Sequence, residues 1–163
     1  GSTSSSNATR VCRATSPSTS SVVRYLLDTN VLSESMKVRP APQVTDWLGA
    51  RDPQQCFVSV LTLGEIRAGA RAHADAARRN ILTDWLENTL APWFAGRALA
   101  IDAGVARRWG DLRASAPRPL PIVDSLLAAT ALAHDLTVVS RDGAFADIAG
   151  FSALQVVNPW MMD

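Results

Sequence analysis

Short apolar runs alternate with longer amphipathic stretches from Val22 onward. The runs are rich in Val, Leu and Ile without polar alternation, which is typical of strands that are buried on both faces. The stretches between them carry apolar residues at helical spacing and are bounded by Pro, Gly or Asp. The pattern predicts strands at 22–28, 55–60, 97–102, 136–140 and 154–160, and helical segments at 29–36, 41–50, 60–94, 103–116, 122–135 and 142–148.

The alternation of strands and helices determines the predicted fold class. The long segment 60–94 should break near 69–75, giving two helices. Strands separated by helices require crossover connections, so we expect a three-layer α/β/α sandwich around a central, mostly parallel sheet. Ligands of such sheets bind beyond the carboxyl ends of the strands, where the strand order reverses. Acidic residues just after strands are therefore the first candidates for a site.

Two acids come directly after predicted strands. Asp28 ends the apolar run "RYLL", and Asp142 follows "LTVVSR". A carboxylate placed against apolar neighbours is costly unless it has a partner. Either acid could simply be a helix N-cap that accepts backbone N–H groups. If both point to one edge of the sheet, however, they also belong to the expected site.

Two further acids occupy unusual positions on predicted helices. Asp124 lies on the apolar stripe of its helix, and Glu65 has small or apolar neighbours that leave room for something to approach. Asp124 could instead only favour the helix dipole, and Glu65 could pair with a nearby arginine on a solvated face. The residues that define the two faces are Leu127, Ala128 and Ala131 for Asp124, and Leu61, Ala68 and Gly69 for Glu65.

Convergence of the four acids would require a cation. Carboxylates within about 4–6 Å of one another cannot all remain ionised without one, and no Lys accompanies them. Oxygen ligands without Cys or His favour Mg²⁺, with Mn²⁺ as a substitute, and indicate metal-dependent phosphodiester hydrolysis. The polar neighbours Thr29, Asn30 and Ser140 could orient the carboxylates or metal-bound water, although local turn chemistry also favours these residue types.

Composition narrows the setting of this site. Residues 1–21 are dominated by Ser and Thr, so we interpret them as a disordered leader or a cloning remnant and 22–163 as one globular domain. Without the leader the formal charge changes from +1 to −1, so no global basic field indicates a nucleic-acid partner. Two cysteines without zinc spacing and the lack of a long apolar run favour a cytoplasmic protein with no membrane segment.

Four stretches together resemble the motifs of PIN-domain ribonucleases, in particular the VapC-like toxins of bacterial toxin–antitoxin pairs. They are "YLLDTNVL" (25–32), "LTLGEIRAGA" (61–70), "PIVDSLLAATA" (121–131) and "SRDGAF" (140–145). The resemblance spans residues 24 to about 160 and places the family's four acids at Asp28, Glu65, Asp124 and Asp142. It implies magnesium-dependent RNA cleavage, homodimerisation and inhibition by an antitoxin peptide that covers the active site.

Some details depart from the family pattern or remain open. Ser140 stands where the family usually has Thr, and some relatives have Asn at the position of Asp142, for which Asp147 lies within reach along the chain. Arg67 and Arg141 are the best placed candidates for RNA contacts. Two alternatives are a haloacid-dehalogenase-type phosphoryl-transfer enzyme, which needs an Asp where this chain has Asn30, and a non-catalytic PIN-like binding protein.

Overall fold

Five parallel strands form the centre of the molecule. The structure, a computed structural model, describes residues 22–163, so the leader predicted at 1–21 lies outside the described residues. The strands appear in the predicted order, and helices lie between them along the chain. The predicted fold class, a three-layer α/β/α sandwich with a parallel sheet, is confirmed. The strands are β1 (Tyr25–Leu27), β2 (Cys56–Ser59), β3 (Ala98–Leu99), β4 (Thr137–Val139) and β5 (Val156–Val157).

The strand order in the sheet is β3-β2-β1-β4-β5, and every neighbouring pair is parallel. From β1 the chain moves outward on one side through β2 and β3, then crosses over to β4 and β5 on the other side. The order therefore reverses between β1 and β4. This is the position at which open α/β sheets bind ligands.

Eight helices connect and flank these strands in residues 22–163. The predicted break in the long helical segment falls at 73–75, between α3 and α4. A π-helical turn, Leu86–Leu90, joins α4 to α5 without interrupting the chain direction. The helices are α1 (Thr29–Glu34), α2 (Pro42–Gly49), α3 (Val60–Ala72), α4 (Ala76–Trp85), α5 (Ala91–Trp93), α6 (Ala103–Ser115), α7 (Ile122–His134) and α8 (Gly143–Ala149).

The sheet separates two hydrophobic cores because side chains alternate along each strand. Leu27 and Val139 face the core that α1 to α5 cover, whereas Leu26 and Val138 face the core under α6, α7 and α8. All four side chains are almost fully buried. Burial on both faces explains why the strands are continuous apolar runs rather than alternating polar and apolar residues.

The edge strands are shorter than the sequence predicts. Only Ala98 and Leu99 pair with β2, although the apolar pattern extends over 97–102. On the other edge β5 ends at Val157, because Pro159 has no N–H to donate and begins a 3₁₀ turn, Pro159–Met161. Nowhere in residues 22–163 is a helix both long and apolar enough to span a membrane.

Candidate active site

Asp28 and Asp142 lie at the carboxyl ends of the two adjacent strands where the sheet order reverses. Asp28 follows β1 directly, and Asp142 comes three residues after the end of β4. Each also caps a helix: Asp28 Oδ1 accepts the Thr29 N–H at 2.8 Å, and Asp142 Oδ1 accepts the Ala144 N–H at 3.0 Å. The capping interpretation is thus correct, but it accounts for only one oxygen of each carboxylate.

Ser140 connects the two strand ends through its buried hydroxyl. The hydroxyl donates to Asp28 Oδ2 at 2.7 Å and accepts the Asp142 N–H at 3.0 Å. Asn30 Nδ2 donates to the same hydroxyl oxygen at 3.0 Å and to Asp28 Oδ2 at 3.3 Å. Ser140 and Asn30 therefore hold Oδ2 of Asp28 in one orientation. Orienting the carboxylates is one of the two roles that the sequence allows for them.

Glu65 reaches the site from α3 through Thr29. The Thr29 hydroxyl donates to Glu65 Oε2 at 2.7 Å, which joins α3 to the first residue of α1. The apolar face predicted for Glu65 is wrong in one respect: the buried stripe of α3 consists of Thr62, Ile66 and Ala70, and Glu65 itself is exposed. Its carboxylate lies at the rim of the site because a hydroxyl holds it there, not because it shares the core-facing stripe.

Asp124 occupies the first turn of α7, half-buried beside the buried stripe of that helix. The pKa of its carboxyl is raised from 3.8 to about 6, mainly by desolvation and then by the charges of Asp142, Asp28 and Glu65, in that order. The three other acids are therefore close enough to act on Asp124 electrostatically. The structure brings all four predicted acids to one edge of the sheet.

The pKa of the Asp28 carboxyl is also raised above its ordinary value. Burial is the main cause that raises the pKa of its carboxyl, and the negative charges of Glu65 and Asp142 add to it. The hydrogen bonds from Ser140 and Thr29 act in the opposite direction by stabilising the ionised form. Hydrogen bonds thus fix the orientation of the Asp28 carboxylate, whereas burial and the neighbouring negative charges make it easier to protonate.

The donor set fits a hard divalent cation. The ion pairs within residues 22–163 join Lys37 to Glu34, Arg67 to Glu87 and Arg118 to Asp147, so none of them neutralises the four acids. No three His, Cys, Asp or Glu side chains of that part of the chain are arranged to hold an ion by themselves. Mg²⁺ fits such a site better than Zn²⁺ because it keeps several waters and needs only one or two direct carboxylates.

The remaining candidates of the sequence are engaged with other residues. Asp147 faces Arg118 at 3.1 Å, and it is absent from the charges that raise the pKa of Asp28 and Asp124. Arg67 forms an ion pair with Glu87 at 2.6 Å. The Arg141 guanidinium lies 4.9 Å from the centre of the Trp160 ring. RNA contacts by Arg67 or Arg141 stay predictions.

A groove beside Thr29 and Glu65 is the part of the site that sequence motifs did not reveal. Its walls come from the end of α1 and from the facing sides of α3 and α4. On α4 the lining residues Arg78, Leu82 and Trp85 recur at helical spacing. This spacing is the feature of the sequence that could have indicated the groove. That spacing alone cannot separate a groove wall from a core face.

Residues 25–151 match the family model of the PIN domain. The chain belongs to the PIN-domain family. It is 37% identical over 141 residues to toxin FitB of Neisseria gonorrhoeae, covering 83% of this chain and 97% of FitB. It is also 36% identical to VapC ribonuclease Y4jK of Sinorhizobium fredii, covering 83% of this chain and 96% of that protein. The resemblance to VapC-like toxins is confirmed.

Solved structures agree with this assignment. The crystal structure of FitAcB from N. gonorrhoeae aligns with a TM-score of 0.78 and 34% identity, over 85% of this chain and 99% of that chain. VapBC-5 from Mycobacterium tuberculosis, of the VapBC family of toxin–antitoxin systems, aligns with a TM-score of 0.62 and 27% identity, over 84% and 99% of the two chains. The PIN fold is therefore shared over nearly the whole length of both relatives.

Proposed function

We propose that this PIN-domain protein is a magnesium-dependent endoribonuclease and the toxin of a toxin–antitoxin pair. The observation that supports this proposal best is that Asp28, Glu65, Asp124 and Asp142 lie together at the edge where the strand order reverses. The pKa of Asp28 and that of Asp124 are both raised there. Perturbed carboxyls gathered in one place are characteristic of catalytic sites. The names of the relatives, which include a ribonuclease and a toxin, support the same conclusion.

The four acids would hold Mg²⁺, or Mn²⁺ in its place, directly or through water. Bound there, the ion would activate water and stabilise the attacking and leaving oxygens of an RNA phosphodiester. Its positive charge would also favour the ionised form of Asp28 and Asp124, because a nearby cation lowers the pKa of a carboxyl. It would thus act against the burial and the neighbouring negative charges that raise the pKa of both groups.

The polar neighbours act on the orientation of the carboxylates. Ser140 and Asn30 hold Asp28 Oδ2, the Thr29 N–H holds Oδ1, and the Thr29 hydroxyl holds Glu65. Fixed carboxylates do not need to reorganise when an ion and a phosphate arrive. We therefore assign positioning roles to Thr29, Asn30 and Ser140 and the catalytic role to the four acids.

The alternatives fit the site less well. A haloacid-dehalogenase-type enzyme needs an acid at position 30, where Asn30 instead donates hydrogen bonds to Asp28 and Ser140. A non-catalytic binding protein has no need for four intact acids so close that, in addition to burial, three of them raise the pKa of the fourth, Asp124. Repulsion between neighbouring carboxylates costs folding free energy in the metal-free protein, and a binding role alone would not require it. The arrangement of the acids therefore favours catalysis.

The partners follow from the same assignment. An antitoxin that inhibits this protein would cover the acidic edge, and RNA cleavage would take place in the cytoplasm. We also expect a homodimer, as the resemblance to VapC-like toxins implies. The relation to FitB, which is named a toxin, and to VapBC-5, of a toxin–antitoxin family, supports the antitoxin as a partner.

The test is the Asp28→Asn variant, assayed for RNA cleavage in Mg²⁺ and in EDTA. We expect cleavage by the parent in Mg²⁺ only and no cleavage by the variant, because the amide keeps the shape but loses the negative charge that an ion requires. Asp147→Asn is the matched control, since Asp147 pairs with Arg118 outside the site. Cleavage by Asp28→Asn at the parent's rate would make the catalytic assignment wrong.

A further inference from the structure

A groove with a volume of about 350 Å³ opens next to the catalytic edge. Thr29 and Glu65 form its near end, so whatever occupies it lies beside the reacting phosphate. We call it the α3–α4 groove, because those two helices supply most of its walls. It is lined by Thr29, Ser33, Met36, Lys37, Glu65, Ile66, Gly69, Ala70, His73, Arg78, Leu82 and Trp85.

Gly69 keeps this groove open. It belongs to the "EIRAG" segment of α3 and lies one helical turn after Glu65, at a rise of about 6 Å. A Cβ built on Gly69 would meet no atom within 4 Å, so no packing contact requires a glycine there. Glycine inside a helix costs about 1 kcal/mol relative to alanine. The empty space beside Gly69 is therefore a feature of the surface that a side chain would remove.

The groove combines apolar walls with charged groups. Ile66, Ala70, Leu82 and Trp85 supply apolar lining. The lining also carries the cationic groups of Lys37, which follows α1, and Arg78, which lies in the first turn of α4. Glu65, at the near end, is the acidic residue of the lining. Such a groove suits a ligand with a flat apolar part and a negative charge beyond it.

Arg78 is held in place for that role. Its Nη2 donates to the Met36 carbonyl at 2.9 Å, which joins α4 to the end of α1 across the groove. A guanidinium has five N–H donors, so the others stay available to a ligand. Lys37 forms an ion pair with Glu34 but remains about half exposed. Arg78 and Lys37 thus keep N–H donors free after their own contacts are made.

We propose that the α3–α4 groove binds the base of one unpaired nucleotide next to the scissile phosphate, with a flanking phosphate at Lys37 and Arg78. The inference rests on the proposed ribonuclease function and extends it to a substrate subsite. An unstacked base has an apolar face that aromatic and apolar side chains bind, and its backbone carries the negative charge. A base inside a duplex cannot enter such a groove without being unpaired first.

The groove therefore selects substrates by strand pairing at the cleavage site. Gly69 lies only about 6 Å from Glu65 along the helix. A base at Gly69 consequently belongs to a nucleotide that is adjacent, or nearly adjacent, to the phosphate at the acids. Gly69 is thus a specificity-determining residue and not a catalytic one.

The test fills the groove with Gly69→Leu and measures binding of a fluorescent single-stranded oligoribonucleotide of mixed sequence, with Ca²⁺ in place of Mg²⁺ to suppress cleavage. We expect the dissociation constant to rise about tenfold or more, since base stacking contributes on that order. Gly69→Met, with a flexible side chain in the same space, is a second variant in case leucine disturbs the fold. Gly69→Ala should have a smaller effect.

Gly110→Leu is the matched control. Gly110 lies exposed in the middle of α6, also with no atom within 4 Å of an added Cβ, and it does not line the α3–α4 groove. We expect parent-like binding from this variant. The proposal also requires that a fully paired duplex of the same RNA bind more weakly to the parent and be insensitive to Gly69→Leu.

Two outcomes would overturn the proposal. One is equal binding of the single strand by the parent and by both folded Gly69 variants, which would show that the RNA does not enter the groove. The other is equal binding of duplex and single strand. Neither result would contradict the nuclease assignment, because cleavage in Mg²⁺ by the parent and its loss in Asp28→Asn are measured separately.

Discussion

At the scale of single residues, one hydroxyl connects two strand ends that are far apart in sequence. Ser140 is almost fully buried and takes part in three hydrogen bonds, to Asp28, Asn30 and Asp142. Buried polar atoms of this kind are costly to leave without a partner. Together with Asn30, Ser140 determines the orientation of the Asp28 carboxylate, whose pKa is raised.

Ser140→Ala should lower both stability and activity. Removing the hydroxyl leaves the Asp142 N–H without its partner and Asp28 Oδ2 with only the Asn30 amide, so we expect a loss of about 1–3 kcal/mol in the free energy of unfolding. We expect cleavage to fall by about 10–100-fold, the usual effect of removing a group that orients a metal ligand. Urea denaturation and an RNA cleavage assay would measure the two effects. Ser140→Thr, which keeps the hydroxyl, should behave like the parent.

At the scale of elements, the chain end after β5 stabilises the wall of the site. The 3₁₀ turn Pro159–Met161 packs against α2, and Trp160 contacts the core on that side of the sheet. The Arg141 guanidinium stacks on the same ring, two residues before the start of α8. The short turn therefore supports the loop that carries Asp142.

Trp160→Ala should destabilise the protein by about 2 kcal/mol, less than the 3–5 kcal/mol typical of a fully buried tryptophan, because Trp160 is only partly buried. The loop around Arg141 should also loosen, so we expect a moderate loss of cleavage. Urea denaturation checks the first effect. Met161→Ala is the control in the same turn: its side chain is 82% exposed, and its removal should change stability by less than about 0.5 kcal/mol.

At the scale of the whole molecule, the burial of Asp124 and the charges of the neighbouring acids make the metal-free protein sensitive to pH. The pKa of Asp124 is about 6 in the folded protein, above its ordinary value of 3.8. The folded state therefore binds more protons than the unfolded state between these pH values. Stability contributed by this group must fall as the pH rises from about 4 to about 6 and remain low above that range.

The pH prediction is tested by comparing the parent with Asp124→Asn in EDTA. Because the amide does not titrate, the variant should gain stability relative to the parent as the pH rises through that window, and the gain should level off above it. Urea denaturation at several pH values measures the difference. A difference that stays constant with pH would show that the carboxyl of Asp124 is not perturbed in the folded state.

Metal binding should reduce the repulsion among the four acids. A ligand that binds only the folded state stabilises it, so we expect Mg²⁺ or Mn²⁺ to raise the melting temperature by roughly 3–6 °C at a concentration about ten times the dissociation constant. Asp28→Asn should show little or no shift. Thermal denaturation with NaCl at matched ionic strength separates this effect from screening, and equal shifts in NaCl and in Mg²⁺ would contradict a specific ion site.

The sequence by itself determined the order of the elements, the fold class and the four acids. Apolar runs and helical spacing are local properties, so the strands and the break before α4 could be predicted from them. Asp28, Asp142 and Asp124 were recognisable because a strand end or an apolar stripe marks them within a few residues. The same local logic overestimated the edge strands, since a strand also needs a neighbour with which to pair.

Only the tertiary structure decided which of these residues meet. The hydrogen bond between Ser140 and Asp28 joins residues 112 positions apart, and the one between Thr29 and Glu65 joins residues 36 apart. Such contacts depend on the strand order β3-β2-β1-β4-β5, which no local pattern specifies. The groove beside Gly69 likewise exists only because α4 folds back over α3 and Arg78 reaches α1. Periodicity describes one element at a time, whereas a site is formed by several.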